Sequence, residues 1–364
     1  MMIGFACLAF TGTALALGSA SLASEERRGV TFTTISLDAY LRGSPQAKLR
    51  IAQDLDEALQ TAGFFYLVDH GVPLSVTEGI LNATSAFFEL PEEDKRAAQQ
   101  KEKFGDLGYA DNSLDDAEGK NGKAEYFNYH YTEGADMDES ERKLPTPLKG
   151  KLSTWASAAK DVAIRIHQIA SLALAATDPS FEASGGSVSD AEHLLERHFF
   201  DQENTTRYSV RLNYYGDLSR EVQEGSQNDD STLIRLGGHY DFILFTVNHA
   251  NDVGGLQLRM DDGEWVDVPA RPDAMLINSG LINQHVSNGR WRAPRHRVTA
   301  TTLERRVSVP LFPEPHPKAL MEPLPGCHAC QAAPPKYRKI TVEEHMKKMF
   351  SDPFNEGNNN LYNI

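Results

Sequence analysis

The sequence predicts a mainly β protein with α-helices, in which a jelly-roll half follows a mixed α/β N-terminal half. After Phe200, short β-type runs follow one another with turns between them, and regular short strands of this kind are typical of a sandwich or barrel. Before that point, apolar residues at helical spacing alternate with short aromatic or β-branched runs. The β-type runs are Tyr208–Tyr215, Phe242–Val247, Gly255–Met260, Trp265–Val268, Ala274–Ile277, Arg297–Thr302 and Val307–Phe312.

Composition fits a folded chain with a sizeable core. The 364 residues are 40% hydrophobic and carry a formal net charge of −15, and the mean hydropathy is −0.43. Binding to nucleic acid needs a basic surface, so we expect no nucleic-acid partner. The three cysteines are too few for a disulfide scaffold, and Cys327-x-x-Cys330 has no second pair with which to form a zinc site. Two loop thiols or a local disulfide are therefore expected there.

Residues 1–29 form a leader-like segment that we exclude from the fold. The run Ile3–Leu17 is similar to the apolar region of a signal peptide, and Ser21-Leu22-Ala23 offers a small-x-small cleavage site. However, no Lys or Arg precedes Arg27, so the basic start of a signal peptide is missing. The segment is short for a membrane span, so no stable membrane partner is expected. We expect a cytoplasmic protein, with secretion or import into an organelle as the open alternative.

Residues 30–190 are predicted to form the mixed N-terminal region. A strand at Thr33–Leu37 precedes a helix that Gly63 ends, since glycine favours the conformation after a helix C-terminus. The aromatic run Phe64–Val68 predicts a second strand. The capping-box pattern Ser75–Glu78 predicts the start of another helix. Further on, a strand at Glu125–Tyr129 and a long helix at Lys149–Ala176 are expected, the latter for core packing.

The jelly-roll domain is predicted to span residues 200–315, with a C-terminal tail over 316–364. The polar segment Asp217–Ser231 is interpreted as a solvated insertion, with a mobile lid as the alternative. The tail begins with a proline-rich loop, and Ile340–Phe350 predicts a terminal helix.

A candidate metal site lies within the predicted jelly roll. His239 and Asp241 are two positions apart, so both can reach one ion from the same face of a strand. His296 adds a second imidazole. Two His and one carboxylate leave three positions of an octahedron open, which is the arrangement of non-haem Fe(II) oxygenases. His249 and His285 are weaker candidates. For His285, the reason is that it lacks the Arg-Val strand that should follow the ligand.

A candidate carboxylate clamp follows the last of these histidines. Arg306 and Ser308 share a strand face by the period-two rule. A guanidinium and a hydroxyl together offer directed donors to a carboxylate. The strand Arg211–Tyr215 precedes the metal pair and contributes polar side chains to the same half of the chain.

The order of these motifs resembles the isopenicillin N synthase-like family of Fe(II)/2-oxoglutarate-dependent dioxygenases, over about Thr33 to Pro313. The matching runs are Gly63-Phe64-Phe65-Tyr66-Leu67-Val68-Asp69-His70-Gly71-Val72-Pro73, Asn213-Tyr214-Tyr215, His239-x-Asp241, Gly254-Gly255-Leu256-Gln257, Gly263-x-Trp265, Asn288-Gly289, His296-Arg297-Val298 and Arg306-x-Ser308. The resemblance implies a distorted double-stranded β-helix, which is a jelly roll, with flanking helices.

The resemblance also implies roles for single residues. His239, Asp241 and His296 would ligate Fe(II), and Arg306 with Ser308 would bind the distal carboxylate of 2-oxoglutarate (2OG). Tyr215 would support that clamp, and Asn213 would line the co-substrate pocket. The implied activity is hydroxylation, desaturation or ring closure of a small organic molecule of secondary metabolism by a monomeric enzyme, consuming O2 and releasing succinate and CO2.

Two departures and two alternatives stay open at this stage. Leu281 stands where the family usually has Asp, which affects the expected loop, and Tyr240 is bulkier than the usual Thr or Ser between the metal pair. The name-giving synthase uses its Arg-x-Ser pair for the substrate carboxylate, so an iron-dependent oxidase without 2OG is one alternative. A non-catalytic binding protein with the same fold is the other.

Overall fold

Two β-sheets form the centre of the fold, and a long helix packs against the larger of them. The computed structural model describes residues 31–99, 107–111, 124–132, 143–181, 186–200, 207–217 and 233–351. The predicted leader (1–29) and all but the first residue of the predicted insertion lie outside the described residues. No helix of the described ranges is long and apolar enough to cross a membrane.

Fifteen strands are present in the described ranges. They are β1 (Thr34–Ser36), β2 (Phe64–Val68), β3 (Gly108–Asp111), β4 (Ala124–Thr132), β5 (Arg207–Tyr215), β6 (Ile234–His239), β7 (Phe245–Asn248), β8 (Leu256–Arg259), β9 (Trp265–Asp267), β10 (Met275–Ser279), β11 (His296–Thr299), β12 (Arg306–Ser308), β13 (Leu311–Glu314), β14 (Leu320–Met321) and β15 (Ile340–Thr341).

The helices of the same ranges lie mainly before β5. They are α1 (Leu37–Arg42), α2 (Pro45–Thr61), α3 (Leu74–Phe88), α4 (Glu92–Ala97), α5 (Lys151–Ala175), α6 (Val188–Ala191), α7 (Leu194–Phe199), α8 (Leu281–Val286), α9 (His328–Gln331) and α10 (Val342–Ser351), with a 3₁₀ turn at Thr146–Leu148.

The larger sheet has the strand order β1-β2-β10-β7-β13-β5-β4-β3, with β12 also paired to β5. Within the described residues, its pairings are antiparallel apart from that of β1 with β2. A second sheet has the order β6-β11-β8-β9. The N-terminal strands β1 and β2 thus extend a sheet whose other strands come mostly from the C-terminal half. The predicted mainly β architecture, with a jelly-roll core and flanking helices, is confirmed.

Strand β2 joins the N-terminal region to this core. It pairs with β1 on one side and β10 on the other, and its continuous apolar run suits a strand that is buried on both faces. Gly63, just before β2, adopts φ +70°, and an added Cβ would lie 2.8 Å from a ring carbon of Pro294. The glycine therefore ends α2 as predicted and lets the loop before His296 approach closely.

Helix α5 packs its apolar side against the larger sheet, as its sequence predicts. Leu152, Trp155 and Ile166 are fully buried. His167 lies on the same helix, 5% exposed, and its ring stacks on Phe200 with 4.8 Å between centroids. Burial lowers the pKa of His167 to about 3, and its Nε2 has no hydrogen-bond partner among the described residues.

Replacing His167 by leucine is expected to make the protein less sensitive to acid. The unfolded chain takes up a proton near pH 6.5, whereas the folded pKa is about 3. Stability from this residue is therefore complete above pH 6.5 and falls as the pH drops towards 3, by about 2 kcal/mol between pH 7 and pH 5. Urea unfolding of both proteins at pH 7 and pH 5 measures this difference. Equal losses of unfolding free energy in the two proteins would contradict it.

Two predicted details differ in the structure. Helix α3 begins at Leu74 with Pro73 at its N-cap and no side-chain cap, because proline's fixed φ suits a helix start. The terminal helix begins at Val342, since Ile340 and Thr341 pair with β14 instead. Of the two states expected for Cys327 and Cys330, loop thiols or a local disulfide, the structure has the disulfide, and both cysteines are fully buried.

Candidate metal centre and co-substrate pocket

The two histidines of the candidate metal site face each other across neighbouring strands. His239 ends β6 and His296 begins β11, and the antiparallel register places them directly opposite. Asp241 lies two residues beyond the end of β6. The expectation that His239 and Asp241 share a strand face is therefore wrong, because the strand stops at His239 and the chain turns. The turn still brings Asp241 Oδ1 to 4.0 Å from His239 Nε2 and 3.9 Å from His296 Nε2.

Backbone carbonyls orient both imidazoles. His239 Nδ1 lies 2.9 Å from the Gly237 carbonyl oxygen, and His296 Nδ1 lies 3.1 Å from that of Pro294. A carbonyl oxygen only accepts, so each Nδ1 carries the proton and donates it. In the neutral imidazole, each Nε2 then keeps its lone pair, which is the tautomer that metal ligation requires.

Two side chains hold the carboxylate of Asp241. Asn278 Nδ2 donates to Oδ2 over 2.6 Å, and the Thr246 hydroxyl donates to the same oxygen. Oδ1 is left facing the two imidazoles. Burial raises the pKa of Asp241, but His296, His239 and these two hydrogen bonds outweigh it and lower the pKa below its usual value. The carboxylate is therefore ionised at neutral pH.

The environment also keeps His239 neutral. Burial, followed by the neighbouring His296, lowers the pKa of His239 to about 4, although Asp241 and Gly237 oppose this shift. The rings of the two histidines lie 4.3 Å apart between centroids. The Phe64 ring packs edge-on against His296 at 5.5 Å and shields one side of the pair. At pH 7 a neutral imidazole can bind a metal without first losing a proton.

These donors fit an Fe(II) ion. Among the described residues, His239, Asp241 and His296 form the one group of three His, Cys, Asp or Glu side chains able to hold a metal, with ligand atoms within 4.8 Å of one another. Two imidazole nitrogens and one carboxylate oxygen match the ligand set of non-haem iron oxygenases. The competing histidines lie elsewhere: His249 packs near Trp155, and His285 packs near Tyr337.

The predicted carboxylate clamp is assembled where β12 pairs with β5. Arg306 lies opposite Tyr215, and Ser308 lies opposite Asn213. Arg306 donates to Ser308 Oγ over 3.2 Å, and Asn213 Nδ2 donates to the same oxygen over 3.3 Å. The Arg306 guanidinium carbon lies 5.5 Å from the Tyr215 ring centroid. The structure therefore brings together the clamp residues Arg306 and Ser308, the supporting Tyr215, and Asn213, which was expected to line the co-substrate pocket.

Arg306 is buried, and it has no acidic partner among the described residues. The residue is 4% exposed, its Nε makes no hydrogen bond, and no carboxylate of the described residues forms an ion pair with it. Burial lowers the pKa of Arg306, partly opposed by Tyr215. A buried, uncompensated guanidinium is costly in a folded protein, and a ligand carboxylate is the group that would compensate it. This is the fit expected for the distal end of 2OG.

One cavity of about 510 Å³ contains both the metal group and the clamp. That volume is in the range of small-molecule sites. Tyr240, whose size departs from the family's pattern, lines this cavity. Leu281, the other departure, starts α8, and its N–H donates to the Asp241 carbonyl over 2.9 Å. Leu281 therefore leaves the loop that carries Asp241 intact.

The sequence did not indicate every residue around the cavity. Thr246 was predicted only as part of a strand, and Asn278 was given no role. Their contact with Asp241 depends on the pairing of β7 with β10. Helix α10 closes one side of the cavity with Met346 and Phe350. His345 fixes this helix by a 2.7 Å hydrogen bond to the Phe242 carbonyl. The amphipathic spacing of α10 predicted a helix but not the surface it covers.

Family models match two parts of the chain. The model of the 2OG-Fe(II) oxygenase superfamily matches residues 207–315, which contain the metal group and the clamp. The model of the non-haem dioxygenase in morphine synthesis N-terminal region matches residues 33–148.

Curated proteins and a solved structure are similar over most of their length. Gibberellin 2-beta-dioxygenase 2 from Oryza sativa subsp. japonica is 27% identical, over 89% of this chain and 84% of that protein. Scopoletin 8-hydroxylase from Arabidopsis thaliana is 26% identical, over 88% of this chain and 81% of that protein. The crystal structure of JOX2 in complex with 2OG, Fe and JA superimposes with a TM-score of 0.67 at 21% identity, covering 86% of this chain and 83% of that one.

Proposed function

Because the chain belongs to the 2OG-Fe(II) oxygenase superfamily, we propose that its cavity oxidises a C–H bond of a small organic metabolite, with His239, Asp241 and His296 as the iron ligands. The chain is an Fe(II)- and 2OG-dependent dioxygenase. The observation that carries the assignment of ligands is the convergence of two imidazole nitrogens and one carboxylate oxygen in a single cavity.

Iron and 2OG, when bound, supply the oxidising chemistry: O2 is reduced while 2OG loses CO2 and becomes succinate, and the substrate gains one oxygen atom in a hydroxylation. The residues of this chain hold and orient the participants. Arg306 and Ser308 receive the distal carboxylate of 2OG, and Asn213 holds the Ser308 hydroxyl in place. The carbonyls of Gly237 and Pro294 keep the Nδ1 protons of the two histidines away from the metal side.

The support around Asp241 has its own function in this proposal. Thr246 and Asn278 both donate to Oδ2, so only Oδ1 is free for the ion. Hydrogen bonds of this kind fix the orientation of a metal ligand and commonly raise metal affinity by about 10–100-fold. Phe64 and the apolar wall of helix α10 exclude water from the reacting region, which limits side reactions.

The alternative of an iron-dependent oxidase that does not use 2OG is not retained. Relatives that match over most of their length are named dioxygenases and hydroxylases, and the matching family model is that of the 2OG-Fe(II) oxygenase superfamily. Scopoletin 8-hydroxylase favours hydroxylation as the outcome and supports a place in secondary metabolism. A monomeric state and a cytoplasmic location stay predictions.

Coupled turnover tests this function. Purified protein is incubated in air with Fe(II), ascorbate and 2OG, and succinate and O2 consumption are measured with and without a library of small metabolites. Equal amounts of succinate and consumed O2, both requiring Fe(II) and increased by at least one metabolite, are the expected result. Iron-loaded, folded protein that forms no succinate under any of these conditions would contradict the proposal.

A further inference from the structure

A row of side chains on β5 faces the cavity. Alternate residues of a strand point to the same side, about 6.6–6.8 Å apart along it. The row contains Tyr215 and Asn213, which lie opposite the clamp residues of β12. Arg211 is the next member of the row, on the side away from Arg306, and it lines the same cavity. A guanidinium therefore stands beside the 2OG clamp but outside it.

Neutral groups orient the Arg211 guanidinium. Its Nε donates to Asn128 Oδ1 over 2.9 Å, and its central carbon lies 4.7 Å from the ring centroid of Tyr126. Both partners belong to β4, whose register sets Asn128 opposite Arg211. A hydrogen bond and a ring contact fix the direction of the planar fork without neutralising its charge.

Arg211 and Arg306 differ from the other cations of the cavity. Among the described residues that line it, Arg207 is paired with Glu314 at 2.7 Å, and Lys347 is paired with Glu343 at 2.6 Å. No carboxylate of the described residues forms an ion pair with Arg211 or Arg306. Within the described part of the chain, the cavity thus offers two guanidinium groups without a carboxylate partner, in a protein whose formal net charge is −15.

The two charges correspond to two ligands. In the proposed function, Arg306 takes the distal carboxylate of 2OG and the other end of 2OG is directed to the metal. Arg211 is left for the second reactant. Since a planar fork matches a carboxylate through paired hydrogen bonds, the geometry points to Arg211 as the anchor for a carboxylate of the main substrate. This inference rests on the proposed function and names the substrate class: a small organic acid with an apolar body.

The rest of the cavity suits such a body. Phe64, Leu236, Phe312, Met346 and Phe350 contribute apolar surface to its wall. The carboxylate takes no part in the bond changes. It fixes the molecule at one end, so that a C–H bond of the apolar part lies towards the metal group.

Matched acids and amides test the inference. Decanoate, trans-cinnamate and naphthalene-1-acetate, each beside its primary amide, are titrated calorimetrically into the anaerobic protein loaded with Fe(II) and 2OG. The binding of 2OG is measured in the same series. Hydrogen bonds to a charged group contribute enough for the wild type to bind at least one acid roughly 10–100-fold more tightly than its amide.

Variants assign this preference to a residue. Arg211→Met is expected to abolish the preference for the acid while the Kd of 2OG changes less than about twofold, because Arg211 lies outside the clamp. Arg211→Lys, which keeps the charge, should retain part of the preference. Arg271→Met is the matched control: Arg271 also lies over a tyrosine ring, at 5.0 Å from Tyr66, but pairs with Asp273 outside this cavity. It should behave as the wild type.

Three results would overturn the inference. In the first, every acid binds the wild type with the same Kd as its amide. In the second, none of the acids binds the wild type. The third is a loss of 2OG binding in Arg211→Met, which would assign the residue to the co-substrate. In the first two cases, binding of 2OG by the wild type would leave the proposed function standing. A wild type that binds no 2OG would contradict both the proposed function and this inference.

Discussion

Replacing His239 by alanine is expected to abolish iron-dependent succinate formation. The variant loses one of three ligands, and its remaining pair, Asp241 and His296, offers one nitrogen and one oxygen to an ion. Fe(II) binding after equilibrium dialysis should fall below about one ion per ten molecules, an order-of-magnitude expectation for the loss of a direct ligand. Removing the imidazole also leaves the Gly237 carbonyl without its donor, at a cost of about 1 kcal/mol, so the variant should stay folded.

His193→Ala is the matched control for this prediction. His193 has a side chain that is 43% exposed and pairs with Glu196 at the surface, and it does not line the cavity. Iron content and succinate formation should equal those of the wild type. Unchanged succinate formation by His239→Ala, with circular dichroism showing a folded protein, would mean that the ligands are assigned wrongly.

Replacing Arg306 by methionine is expected to raise the Kd of 2OG by roughly 100-fold or more, since removing one partner of a buried charge pair costs about 3–5 kcal/mol. Methionine has a similar length and removes the fork that the distal carboxylate would meet. The same change should leave the melting temperature without 2OG unchanged or raise it, because the guanidinium is buried, has an unpartnered Nε and lacks an acidic partner among the described residues. Opposite effects on binding and stability separate a binding residue from a structural one.

The neighbouring residue provides the control. Arg305 is exposed and pairs with Glu89 at the surface, and an exposed ion pair contributes about 0–1 kcal/mol. Arg305→Met should bind 2OG as the wild type does, and Arg306→Lys should lie between wild type and Arg306→Met. A melting temperature that falls sharply in Arg306→Met while its Kd for 2OG stays at the wild-type value would show that Arg306 supports the fold and not the co-substrate.

Much of the candidate site could be predicted from residue types and their order. His239, Asp241, His296, Arg306 and Ser308 were identified because each has a distinctive side chain within a motif. Their meeting in one cavity agrees with that interpretation. The prediction that Asp241 lies on the same strand as His239 was wrong, because the strand ends at His239. The alternation rule that was applied holds only within a strand. The turn is instead fixed by contacts with residues far along the chain, such as Asn278.

The remaining features depend on register between distant strands. Arg211 shares the period-two face of Asn213 and Tyr215, so its direction could be read from β5 alone. Its lack of an acidic partner among the described residues could not, because that depends on which residues of β4 lie opposite. Helix α10 shows the same limit: its apolar side was visible in the sequence, whereas its hydrogen bond to the Phe242 carbonyl joins positions 103 residues apart.

Anaerobic addition of Fe(II) and then 2OG tests the central claim most directly, because it observes the metal group and the clamp together before any turnover. If His239, Asp241 and His296 hold iron while Arg306 and Ser308 orient 2OG onto it, the wild type will develop a visible metal-to-ligand charge-transfer band on addition of 2OG. The band will be absent from His239→Ala and will require more 2OG in Arg306→Met. Folded, iron-loaded wild-type protein that shows no band at saturating 2OG would contradict the account.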